Sequence, residues 1–254
     1  MSAANYNNKQ RTGYLILSIF FLAAVFFLWK NGPIPQAENY HSFSDETQAL
    51  GIQNFWNVLS NLPFILVAFY GLRSYIKYRV KYKAYLTFLI GILLIGFGSA
   101  YYHYMPDSQS LIWDRIPMTI VFMSILAISL DDLVKKDLSR YLLLPFILLG
   151  FLSIYLWVAW DDLRLYAFLQ FFPIVLLLVL LAFNQSRRIG KKAYGLLLIF
   201  YGVAKICEHF DEDIHEAFMV ISGHSLKHFF AALALFYFTQ ALFKDQKNVT
   251  LDQT

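Results

Sequence analysis

The sequence predicts an all-α fold, a polytopic membrane helix bundle, on three observations. Of 254 residues, 58% are hydrophobic and 15% charged, against roughly 45–50% and 25% in a soluble globular chain. The apolar residues gather into eight runs of a length that can span or nearly span a bilayer. Lysine and arginine concentrate in alternate segments between those runs. This composition excludes an ordinary soluble enzyme and a disordered chain, and Cys207, the single cysteine, excludes a disulfide scaffold. The formal net charge of +4 does not point to nucleic acid, because the charges fall in short groups rather than along one exposed stripe.

The first run, Gly13 to Trp29, follows Lys9 and Arg11 and ends in Lys30, Asn31, Gly32 and Pro33. With no small-residue cleavage site behind it, it reads as a retained anchor rather than a signal peptide. A polar loop from Asn31 to Gln53 follows. The second run, Phe55 to Tyr75, stops before the basic group Lys77, Arg79, Lys81 and Lys83, after which the third extends from Ala84 to Tyr104. The fourth, Ile116 to Leu130, is short, with Asp114 and Arg115 before it and Asp131 and Asp132 after it. The fifth runs from Tyr141 to Trp160, and the sixth from Leu165 to Phe183. The seventh, Ala193 to Cys207, is again short, and the eighth spans Gly223 to Phe243.

Cytoplasmic loops carry the excess of lysine and arginine. With the N-terminus inside, that side holds Lys9, Arg11, Arg73, Lys77, Arg79, Lys81, Lys83, Lys135, Lys136, Arg140, Arg187, Arg188, Lys191, Lys192, Lys244 and Lys247. Only Lys30, Arg115, Arg164, Lys205 and Lys227 are left for the outer side, where most of the acids also fall. An even number of spans with both termini cytoplasmic fits this alternation.

Charged groups inside a bilayer cost at least about 2.5–3.5 kcal/mol, so polar residues within the runs ask for a partner or a purpose. Ser99 and His103 lie four apart at the outer end of the third run and share a helix face. Asp114 follows eleven residues later, near enough for a hairpin to fold its carboxylate back over the histidine. His224 and His228 repeat the spacing of four at the outer start of the eighth run. Three histidines from two helices at one depth are what a catalytic zinc needs, with a fourth corner free for water. The bland alternatives are an interfacial His103 beside Ser99, a His224 and His228 facing headgroups, and an Asp114 paired with Arg115 or capping a helix. The zinc-protease motif His-Glu-x-x-His is absent, since Ser225 follows His224, which makes Asp114 the candidate base. A metal-free triad of Ser99, His103 and Asp114 is a further alternative, although the sequence around Ser99 lacks the Gly-x-Ser-x-Gly elbow and the triad leaves His224 and His228 without a task. Among the remaining polar groups, Asn54, Asn57 and Asn61 share one face and suit interhelical hydrogen bonds. Lys205 and Glu208 pair one turn apart. The acidic stretch from Glu208 to Glu216 lacks the EF-hand spacing and reads as a solvated loop.

Taken together, Phe55-Trp56-Asn57-x-x-Ser60-Asn61, Gly98-Ser99-Ala100-Tyr101-Tyr102-His103, Trp113-Asp114-Arg115-x-Pro117-Met118 and Gly223-His224-x-x-x-His228 resemble the alkaline ceramidase family. That family looks related to the progestin and adiponectin receptors. The resemblance covers about Phe55 to Phe243 and implies a seven-span core, which leaves Gly13 to Trp29 as an added N-terminal helix. It implies residues 1–53 as tail, added helix and outer loop, 54–244 as hydrolase core, and 245–254 as cytoplasmic tail. It also implies a zinc held by His103, His224 and His228, with Ser99 and Asp114 as catalytic partners in hydrolysing the amide of an N-acyl lipid on the outer side of the membrane. The partners implied are that lipid and the bilayer, with no nucleic acid. A receptor-like protein with a non-catalytic zinc is the alternative. The family's eukaryotic members carry an acidic calcium site before the first core helix. Here Asn54 replaces an acid, and Asp45 with Glu46 leave room for a weaker calcium site.

Overall fold

The computed structural model describes residues 3–244, so the tail expected at 245–254, with Lys247, lies outside the described residues. Ten α-helices follow one another: α1 Ala3–Lys30, α2 Phe55–Leu59, α3 Leu62–Lys77, α4 Lys83–Tyr104, α5 Ser110–Leu133, α6 Leu138–Trp160, α7 Arg164–Phe183, α8 Lys191–His209, α9 Asp211–Phe218 and α10 Gly223–Leu242. The described residues contain no strand, only an isolated bridge between Ala49 and Ile52. The all-α expectation therefore holds. The chain is a multi-pass membrane protein: α1, the α2–α3 pair, α4, α5, α6 and α7 are each long and apolar enough to cross a bilayer, and α8 with α9 reaches that only as a sharply bent pair, a broken span or a re-entrant loop. The twenty residues of α10 reach spanning length, but polar His224, Ser225, Lys227 and His228 occupy its first turns.

Two helices outrun their apolar stretches. The fourth begins at Ser110 and ends at Leu133 rather than covering Ile116 to Leu130, and the seventh fills Lys191–His209 rather than Ala193 to Cys207. At the Leu133 end of the fourth, the charges that close the apolar run are paired and buried, so the helix continues through them. Asp131 Oδ1 accepts from both the backbone N–H and the hydroxyl of Ser139, and Asp132 accepts from the Ser186 hydroxyl and the Arg187 N–H. The acidic stretch after Glu208 is a helix too and not a solvated loop: α9 leaves α8 at 79°.

Contacts group the chain into two compact units, Met1–Gln36 with Phe122–Arg187, and Ala37–Val121 with Arg188–Thr254. In the first, α1 lies along α7, with Phe21 edge-on to Phe168 and Phe172. The chain after α1 is pinned to the α6–α7 turn, where Asp161 accepts from the N–H of Gln36 and Ile34 accepts from that of Leu163. In the second unit α8 packs on α10, and α3 on α4. Its core is dry and aromatic, with Phe238 set edge-to-face on Phe88 and tilted against Tyr194. The polar residues singled out in the sequence all lie at one end of this second unit.

Candidate metal centre

His103 sits in the last turn of α4, and His224 and His228 in the first two turns of α10. A spacing of four aims each pair's side chains along one face, and the two faces meet. His103 Nε2 and His224 Nε2 are 3.3 Å apart. One ring nitrogen of each of the three histidines lies within 4.8 Å of the others. His103 and His228 are buried, while His224 is half-buried. Three imidazoles turned nitrogen to nitrogen away from water leave lone pairs facing one another, an arrangement that suits a bound cation. Such a set can hold a metal ion.

Each histidine is held differently. His228 Nδ1 lies 2.8 Å from the Ser60 hydroxyl, which itself donates to the Asn57 carbonyl at 2.9 Å. With its one proton used there, Ser60 accepts from His228 Nδ1–H, and the Nε2 lone pair is left for the metal position. The His224 backbone N–H donates to Asp211 Oδ1 at 2.6 Å. The His103 ring is set by packing, edge-on to Phe43 at 4.8 Å and tilted against Tyr102 at 4.9 Å, while its backbone carbonyl accepts from Asn54 Nδ2 at 2.9 Å.

Asp114 reaches the site because α4 and α5 touch. A Cβ built on Gly98 would stand 2.1 Å from the Trp113 carbonyl oxygen, so only glycine lets the two backbones come this close. The Ser99 hydroxyl then hydrogen-bonds the Asp114 carboxylate. Ser99 is buried and Asp114 half-buried. All five expected site residues therefore come together at one end of the second unit.

The asparagines divide. Asn54 bonds to α4 as above, and Asn57 joins three segments. Its Oδ1 accepts from Ser225 at 2.8 Å and from the N-cap Ser222 at 3.4 Å, while its Nδ2 donates to the Asp45 carbonyl at 3.2 Å. Asn61 donates back into its own segment, to the Asn57 carbonyl at 2.8 Å. The expected pair of Lys205 with Glu208 forms at 2.6 Å, and Lys227 joins it from α10 at 2.9 Å.

Four contributors carry no readable signal in the sequence: Phe43, His41, Asp211 and Lys227. Phe43 lies edge-on to both His103 and His224. His41 Nδ1 is 3.0 Å from the Tyr102 hydroxyl and its Nε2 is 3.3 Å from that of Ser108. Burial holds the His41 imidazole below its usual range, partly countered by Asp107 and reinforced by Arg115. Asp107 is fully exposed, and its carboxyl is held low by the backbone N–H of Ser110 at 2.6 Å. On the loop side of the site, then, the neutral imidazole is favoured.

No curated protein matches the chain in sequence. The family comparison matches Ceramidase over residues 49–244, about three quarters of the chain and every element of the second unit from α2 onward. That stretch contains Ser99, His103, Asp114, His224 and His228, with α1 lying before it. A multi-pass helical chain with a histidine trio at the helix ends and a family match of this length belongs to the ceramidase family, hydrolases of an amide bond in a sphingolipid.

Proposed function

We propose that the protein is a zinc-dependent amidase working within the membrane, cleaving ceramide-like N-acyl lipids to a fatty acid and a long-chain base. The observation that carries the metal assignment is the 3.3 Å between His103 Nε2 and His224 Nε2. Two nitrogens each about 2.0–2.1 Å from a tetrahedral zinc lie about 3.3–3.4 Å apart, so the pair already has the edge length of such a site. His103, His224 and His228 are the ligands, through Nε2 in each case, and the Ser60 bond on His228 Nδ1 fixes that ring's tautomer. Bound there, zinc supplies Lewis acidity that brings the pKa of a water toward 7 and draws charge from the scissile carbonyl.

The chain's own groups do the rest. Asp114 accepts the proton of the attacking water and passes it to the nitrogen of the leaving amine, so that water and amide become carboxylic acid and amine. Ser99 orients that carboxylate through its hydroxyl and lies beside the position where charge develops on the carbonyl oxygen. Lys227, held by Glu208, adds a positive charge facing Asp114. The metal-free triad is disfavoured: in such a triad Ser99 bonds the histidine, whereas here it bonds Asp114 and His103 Nε2 faces His224.

We place both termini in the cytoplasm and the site toward the outer face, on the distribution of lysine and arginine. The test of function is mass spectrometry of a lipid extract incubated with the purified protein, with and without a chelator and with Asp114→Asn. Loss of N-acyl sphingoid lipids with release of fatty acid is expected from the metal-loaded wild type alone. A protein that binds zinc and releases no fatty acid from any N-acyl lipid supports a receptor-like role instead.

A further inference from the structure

The segment from Tyr40 to Asp45 crosses the site as a strap fixed on both sides of Phe43. On one side His41 is bonded to Tyr102 and Ser108, as above. On the other, the backbone N–H and the hydroxyl of Ser44 donate to Asp211 Oδ2 and to its carbonyl, both at 3.4 Å, and the Asp45 carbonyl accepts from Asn57. Asp45 is itself fully buried and its Oδ1 accepts the Thr47 N–H at 2.9 Å. Between these anchors the Phe43 ring stands 4.8 Å from His103, 4.9 Å from His224 and 5.9 Å from Tyr102, and it is 9% exposed.

Its position against two of the three histidines gives the ring a role. His103 and His228 are buried, whereas His224 and Asp114 are half-buried. Phe43 packs on one buried and one half-buried histidine and so bounds the space beside both rings. It offers the metal no ligand atom and Asp114 no hydrogen bond; what it contributes is volume. The volume lies on the loop side of the histidines, because all three sit at helix ends that face the strap. A lipid whose acyl chain runs between the helices must place its polar end on this same side.

We propose that Phe43 is a specificity-determining residue that limits the size of the group beyond the scissile amide. It admits an N-acyl amino alcohol with a free terminal hydroxyl and excludes the same lipid carrying a sugar on that hydroxyl. The proposal rests on the amidase reading and adds the head-group limit to it. Steric discrimination in a preformed wall gives factors of tens to hundreds, which truncation of the wall removes.

The test compares kcat/KM for these two lipids in the full-length, metal-loaded wild type, Phe43→Leu and Phe43→Ala, with bound metal measured for each. The wild type is expected to favour the free-hydroxyl lipid by about a hundredfold, Phe43→Ala to reduce that ratio at least about tenfold, and Phe43→Leu to fall between them, with metal content unchanged. A ratio that stays constant while activity on both lipids falls would assign Phe43 to holding the histidines and overturn the proposal. Equal use of both lipids by the wild type also overturns it and leaves the amidase reading standing. A wild type that cleaves neither lipid takes both readings down. If Phe43→Ala fails to fold or to hold metal, the ratio in Phe43→Leu decides.

Discussion

A proton acceptor and a ligand's support respond differently to mutation, and the proposed site offers one case of each. Asp114→Asn keeps the shape and the Ser99 partner but not the base, so turnover should fall by about 10²–10⁴ with zinc content unchanged, as read by activity and metal analysis. Ser60→Ala leaves His228 in place but frees its Nδ1, and zinc affinity measured by competition with a chelator should drop about 10–100-fold. His41 responds to pH. Its imidazole is held below the ordinary value of 6.5, so the unfolded chain takes up a proton before the folded one does. Its contribution is complete above that value and is lost as pH falls below it. Protection factors against hydrogen exchange over residues 40–45, taken relative to the intrinsic rate at each pH, should therefore fall on acidification through pH 6.5, and His41→Gln should flatten that dependence. Four of the five residues were readable because spacings of four put Ser99 with His103 and His224 with His228 on helix faces, and Asp114 because a short hairpin separates it from His103. Phe43, His41, Asp211 and Lys227 were not. Their partners come from other elements, and an isolated Phe or Asp in a loop does not announce which helix end it will meet.

At the level of elements, charge is a poor guide to where a helix stops. The sequence ends the fourth span at Asp131 and begins it after Arg115, yet both residues lie inside α5 and are buried. A carboxylate with hydrogen-bond donors on the following element is no longer a terminator, and that pairing becomes visible only once the helices are assembled. The helix contact at Gly98 offers a sharp test. Gly98→Ala puts a methyl group against the Trp113 backbone, which has no rotamer by which to yield, whereas a Cβ at Gly202 of α8 meets no atom within 4 Å. Gly98→Ala should part α5 from α4 at Asp114 and abolish hydrolysis while the histidine trio still binds zinc. Gly202→Ala should retain measurable activity. A Gly98→Ala protein with wild-type turnover would show that Asp114 does not depend on this contact.

For the whole molecule, the helical membrane class and the order of the spans were legible because composition and period decide them. The two compact units were not, since helix pairing across the chain leaves little trace in a single sequence. The sidedness proposed from the basic residues is tested by labelling: in a Cys207→Ser background, a cysteine at Ser108 should react with an impermeant reagent from outside, and one at Lys81 should not. The reverse pattern would put the site in the cytoplasmic leaflet. One consequence of the histidine arrangement concerns assembly. His103 and His224 are 121 residues apart in sequence, and α5 to α9 lie between them. A metal held by both would close that entire stretch into a ring after the helices had inserted. Insertion needs no metal on this account, because each span satisfies its own backbone. Chelation should leave far-ultraviolet dichroism unchanged yet lower the thermal midpoint, by about 2.7 kcal/mol of linkage at a free zinc concentration of 100 times Kd. Newly made chains would then wait in the bilayer as assembled but unclasped bundles until zinc reached them.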